Sequence, residues 1–247
     1  MSNDKLWLDS AHAENCDSRY LASFVKILNM EKISICTENI NIYNKSVIDC
    51  VKNVLVVITM VVSTVEMEKV EEKTEEVLMI TAPKNFRDEE LFKPKAILEK
   101  NGYNVTIASL SRDMAKGMLG AKVIPDITLD EVDVDRYNAV IFVGGSGAEV
   151  YFDDEVAHSI AKDAYEKNKV LGAICIAPST LAKAGVLKNK RATVWSSVLV
   201  RKCVNILKAN GAIYVNEDVV VDGRIVTANG PGAAEKFGNE IVKLLKT

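Results

Sequence analysis

Cys175 has the clearest chemical setting in this sequence. It ends the apolar run Val170 to Ile174, and Pro178 and a short helix-forming stretch that stops at Gly185 follow almost at once. A buried strand passing straight into a helix through a sharp turn is the layout of a nucleophile elbow, which lifts a reactive atom above the carboxyl edge of a sheet. The start of that helix offers free N–H groups and a positive dipole end, both of which favour a thiolate over a thiol. Gly172, Ala173 and Ala177 are small enough to let such a bend pack closely. The competing reading is an inert buried cysteine, since free Cys is among the most buried residue types. Cys203, inside a second helix-like stretch, takes that packing reading.

Other chemistry-bearing residues are sparse. Gly144 and Gly145 close the run Ala139 to Gly145, where glycines let the backbone approach a ligand and aim N–H groups at it. A plain strand-end turn explains them equally well. The two histidines, His12 and His158, are far apart and not at ligand spacing, so no metal site and no cofactor are expected. His158 sits near a helix start and reads as a surface residue rather than a catalytic one. Tyr151 and Phe152 either wall a pocket or pack a turn. The five cysteines form no CxxC pair and no even framework, the pattern of reduced thiols in an intracellular, cytoplasmic protein. A net charge of −3 supplies no basic face for nucleic acid.

The elements that must position Cys175 alternate along residues 77–247. Strand-like runs fall at Val77 to Ala82, Asn104 to Leu110, Ala139 to Gly145 and Val170 to Ile174. Helical patterns fall at Glu89 to Gly102, Asp154 to Lys167 and Ser197 to Asn210. A last helix places Phe237, Ile241, Leu244 and Leu245 on one stripe. The segment VVVDGRIVT reads as a hairpin turning at Asp222-Gly223. Strands apolar throughout, separated by helices, predict a mostly parallel sheet covered on both faces.

Residues 1–76 read as an extension without a clear fold, and the charged run 66–76 as its linker. Its apolar run 54–65 falls short of the roughly 20 residues that a membrane helix needs. It also begins too deep in the chain for a signal peptide. An extra strand or plain extension is preferred, with a targeting or membrane-surface role as the lesser alternative. A true start later in the chain, at Met60 or Met67, is a further one.

Four segments resemble the ThiJ/PfpI family, also called the Parkinsonism-associated deglycase family. They are FRDEELFKPKAILEKNGYNV, IFVGGSGA, AICIAPSTLAKAGVL and VVVDGRIVTANGPGAAEKFGNEIVKLL, in the family's order. The resemblance covers residues 77–247 and implies a flavodoxin-like three-layer α/β sandwich, as a homodimer or higher homo-oligomer. It places the functional cysteine at Cys175 and its acidic partner at Glu90, or at Glu89 if the register slips by one. A carboxyl beside a thiolate is reasonable if protonated, since two like charges at close range raise one pKa. The resemblance also assigns the amides of Gly145 and Ile176 to an oxyanion site, and a structural role to Gly230 and Pro231. Two departures stand out. Ile176 and Trp195 occupy the positions from which other members supply a histidine.

Three functional readings fit these residues, the first being the one the resemblance implies and the second non-catalytic. The first is a cysteine-dependent glyoxalase or deglycase acting on small reactive carbonyls. The second is a redox sensor or stress-protective protein in which an oxidant converts Cys175 to sulfenic and sulfinic acid. The third, a peptidase or amidase, is disfavoured because a Cys-His pair is what gives a thiol nucleophile its proton donor.

Overall fold

The computed structural model describes residues 75–247. The expectations placed on the extension, including the apolar run 54–65, Cys16, Cys36, Cys50 and His12, lie outside the described residues. The strands in chain order are β1 (Glu76–Ile80), β2 (Lys84–Phe86), β3 (Asn104–Ser109), β4 (Ala115–Gly117), β5 (Lys122–Val123) and β6 (Ile127–Thr128). They continue as β7 (Ala139–Phe142), β8 (Val170–Ile174), β9 (Arg191–Ala192), β10 (Ile213–Tyr214), β11 (Val219–Asp222) and β12 (Ile225–Ala228). The helices are α1 (Asp88–Lys100), α2 (Glu155–Glu166), α3 (Pro178–Lys183), α4 (Lys202–Ala209) and α5 (Ala234–Leu245).

The central sheet runs β11-β12-β8-β7-β1-β3-β6, parallel throughout except for β11. Its strands are apolar because both faces are covered. Val77 to Ile80, Ala139 to Phe142 and Val170 to Ile174 are all buried. Helices α1 and α5 pack together, with α5 also against β8 and β12, while α2 packs on β7 and β8 and against α3. The expected α/β sandwich is present. Among its parallel strands, β3-β1-β7-β8-β12 follow the flavodoxin-like order 2-1-3-4-5, whose switch point lies between β1 and β7. Ligands of such sheets sit outside the carboxyl ends of the strands at that point. The turn after β7 and the bend after β8 both open there.

Two details differ from the sequence pattern. The helix expected from Ser197 begins only at Lys202, because Ser197 Oγ accepts the Val200 amide at 3.0 Å and closes a turn instead. Val198 and Leu199 then stay 95% and 92% exposed, so no apolar stripe holds a helix there. The hairpin between β11 and β12 turns at Gly223-Arg224 rather than Asp222-Gly223, since Asp222 still pairs with Ile225. Gly223, at φ +62°, is then the first central residue, which suits a glycine-first primed turn.

Among the described residues no helix is long and apolar enough to cross a membrane, and no three His, Cys, Asp or Glu side chains cluster as metal ligands.

Candidate active site

Cys175 follows directly from β8 and takes φ +64°, a left-handed conformation that costs a non-glycine residue roughly 1–2 kcal/mol. Neighbouring backbone holds it there. Its N–H donates to the Ala228 carbonyl on β12 at 2.8 Å, and its carbonyl accepts the Trp195 N–H at 2.8 Å. With both groups fixed, the bend is over-determined by its surroundings, the condition under which strain persists. Helix α3 begins at Pro178, three residues on.

The turn after β7 closes over this bend. A side chain on Gly144 would overlap Glu90 Oε2, the Cys175 side chain and the Ile174 carbonyl. Gly145 has φ +99° and packs against the backbone of Asn85, Phe86 and Arg87, and the Arg87 N–H donates to the Gly144 carbonyl at 3.0 Å. The Gly-Gly pair is therefore a close-packing requirement as well as a strand end.

Glu90 comes from the first turn of α1 and is fully buried. Neither carboxyl oxygen meets a donor in good hydrogen-bond geometry, although the Cys175 thiol and Gly144 amide are near enough to act on its charge. Burial pushes the carboxyl up to about 8. Glu89, the alternative, turns away. Its carboxylate takes Arg87 Nε at 2.8 Å and Nη2 at 3.1 Å.

The expected thiolate preference of Cys175 is not met. Burial, followed by the nearby Glu90 charge, pushes the thiol up to about 12, against the opposing pull of the Gly145 and Ile176 amides. Helix α3 has only six residues, so its dipole end is weak compensation for lost hydration. The thiol and the carboxyl therefore titrate as a pair. While Glu90 is neutral, the repulsion that raises Cys175 is absent.

Cys175, Glu90, Gly145 and Ile176 meet at a cavity of about 310 Å³. Arg87, Met118, Ser146, Trp195 and Pro231 complete its lining. No histidine does. His158 bonds the Phe152 carbonyl through Nε2 at 2.9 Å, and Tyr151 and Phe152 are packed in the core rather than on the cavity. Arg87 and Met118 carry no motif of their own. Asp88 places Met118 by accepting the Leu119 and Ala121 amides at 2.9 and 2.8 Å, while the Met118 N–H donates to the Phe86 carbonyl at 2.8 Å.

All four family-like segments thus contribute to one cavity, and a family model matches residues 75–244, that of the DJ-1/PfpI family. The chain belongs to the DJ-1/PfpI family. Among its relatives, an uncharacterized protein of Methanocaldococcus jannaschii is 43% identical over 175 residues, covering 70% of this chain and 84% of that one. A deglycase of Thermococcus kodakarensis is 36% identical over 169 residues, 68% of this chain and 99% of its own. A glutathione-independent glyoxalase of Caenorhabditis elegans is 27% identical over 169 residues, 68% of this chain and 88% of its own. The crystal structure of a ThiJ/PfpI domain protein from Brachyspira murdochii superposes with a TM-score of 0.67 at 33% identity, covering 70% of this chain and 97% of that chain. Within the DJ-1/PfpI fold, Ile176 and Trp195, the two departures from the resemblance, both wall this cavity.

Proposed function

We propose that this protein is a cysteine-dependent enzyme of the glyoxalase or deglycase type, acting on small reactive carbonyls such as methylglyoxal or its adducts. The observation that carries this reading is the buried, partnerless Glu90 carboxyl set beside a strained Cys175. A group raised to about 8 can both give and take a proton near neutral pH, which is what a general acid–base needs.

Attack of Cys175 Sγ on the aldehyde carbon forms a C–S bond, and the thiol proton passes through Glu90 to the carbonyl oxygen. The Gly145 and Ile176 amides hold the charge on that oxygen during attack. The Glu90 carboxylate then takes the proton on the former aldehyde carbon and returns it to the adjacent carbon, while the hydroxyl proton moves to the neighbouring ketone oxygen, so the hemithioacetal becomes a thioester of lactate. Water hydrolyses the thioester to lactate and restores the thiol. Methylglyoxal plus water gives lactic acid, with no external oxidant.

The test is lactate formation from methylglyoxal by wild type and Cys175→Ser. Lactate that disappears in the variant supports the reading, and lactate at the same level in both overturns it. Amides that favour a charged sulfur would equally hold a sulfinate, which keeps a redox sensor as the second reading. It gains if no lactate forms and peroxide adds oxygen to Cys175 before Cys16, Cys36 and Cys50. Peptidase activity calls for a histidine to serve the leaving amine, and among the described residues none lines the cavity.

A further inference from the structure

Among the described residues Arg87 is the one lining residue with a permanent charge, in a cavity walled besides by Met118, Ile176, Trp195 and Pro231. Its position is fixed at both ends. The backbone N–H is tied to Gly144, and Glu89 occupies Nε and Nη2. Among the described residues nothing is bonded to Nη1. Arg87 also lies close enough for the charges of Glu90 and Cys175 to reach its guanidinium.

We infer that Arg87 selects a 2-oxoaldehyde that carries a carboxylate, binding the acid through the Nη1 edge while the aldehyde carbon faces Cys175. This rests on the cysteine chemistry proposed above and names its substrate class. The Arg87–Glu89 pair is net neutral, so selection comes from directed, charge-assisted hydrogen bonds and not from bulk attraction. A guanidinium pre-oriented by a bidentate partner loses little freedom on binding, and the apolar walls strengthen the remaining bonds. Neither Glu90 nor Cys175 opposes an anion while neutral. A volume of about 310 Å³ matches roughly ten water-sized groups, enough for a five-carbon oxoaldehyde acid. The reaction stays balanced: oxoaldehyde plus water gives the 2-hydroxy acid.

The experiment compares kcat/KM for 4,5-dioxopentanoate with that for 2-oxopentanal, which has the same carbon chain without the acid. Wild type favours the acid. Arg87→Gln lowers that preference about tenfold or more, mainly through KM, and Arg87→Lys recovers part of it. A purely structural Arg87 would slow both substrates alike, and an unchanged ratio overturns the inference. A second measurement needs no turnover: protection of Cys175 from iodoacetamide by succinate semialdehyde, compared with butanal. If no protein forms hydroxy acid, the proposed function fails. Arg87-dependent protection by the acid alone then still supports the site, and equal protection by both aldehydes sinks it.

Discussion

Glu90 Oε2 and the Cys175 side chain both reach into the space that a side chain on Gly144 would fill. The carboxyl arrives from α1 and the thiol from the bend after β8, two elements that meet only because the turn after β7 has no Cβ between them. The association of acid and thiol is therefore enforced by packing, without a well-formed hydrogen bond on either carboxyl oxygen.

Gly144→Ala tests that enforcement. The added methyl meets the Ile174 carbonyl as well as the two side chains, and backbone cannot swing aside as a flexible side chain can. A loss of about 1–3 kcal/mol is expected in urea denaturation, as for other overpacked sites. Methylglyoxal turnover should fall with it, because Glu90 and Cys175 must separate. Wild-type stability and turnover in this variant would show that the three groups are not in contact.

The burial of Glu90 makes stability depend on pH. Its carboxyl rises from 4.5 to about 8 in the folded chain, so between those values the folded state holds a proton that the unfolded state has lost. Stability therefore falls as pH rises through that window, by about 5 kcal/mol in total, and goes on falling above pH 9, where the raised Cys175 thiol adds its own dependence. Glu90→Gln removes the dependence below pH 9. Denaturation at pH 5 and pH 9 should show a larger drop for wild type than for Glu90→Gln. Equal drops would mean that Glu90 titrates normally.

The same substitution bears on the thiol. The Glu90 charge is the second cause raising Cys175, after burial. Without that charge, the iodoacetamide rate of Glu90→Gln should climb at lower pH than in wild type, toward but not reaching ordinary thiol values. An unchanged pH profile would leave burial as the whole cause.

Backbone strain at Cys175 predicts an inversion of the usual order of small residues. Glycine generally weakens a protein relative to alanine, yet at φ +64° it removes a Cβ clash. Cys175→Gly should be more stable than Cys175→Ala by about 1 kcal/mol in denaturation. If alanine is the more stable of the two, the bend is not strained.

The parts of this site legible in the sequence are those where local pattern and tertiary need coincide. The apolar run Val170 to Ile174 announces a covered strand, and the Pro178 and Gly185 boundaries announce α3, so Cys175 falls at a bend by elimination. Glu90 could be named only through family resemblance, since three consecutive acidic residues read as solvated surface. Arg87, Met118 and Ser146 were not legible as a group, because the short sheet β2-β4-β5 that helps seat them has strands of two or three residues and no periodic signal. The raised thiol was illegible for a different reason. Burial and the approach of Glu90 are tertiary, whereas the helix start that suggested a thiolate is local.

Trp195 offers the sharpest test of what the missing histidine means. Its backbone N–H holds the Cys175 carbonyl, a bond that survives any change of side chain except proline, and its indole forms part of the cavity wall. The residue is about one-third exposed, so a smaller ring there costs little packing. Trp195→His puts an imidazole on the wall beside a thiol that now has only a carboxyl to receive its proton. An imidazolium next to the sulfur favours the thiolate, and the midpoint of Cys175 alkylation should fall by about one unit or more. Hydrolysis of 4-nitrophenyl acetate should rise in parallel, since the ring can accept the thiol proton. Both gains must vanish in Trp195→His combined with Cys175→Ser. If the alkylation midpoint stays where it is in wild type, the wall at Trp195 is not within reach of the sulfur, and the absence of histidine there does not explain how Cys175 is tuned.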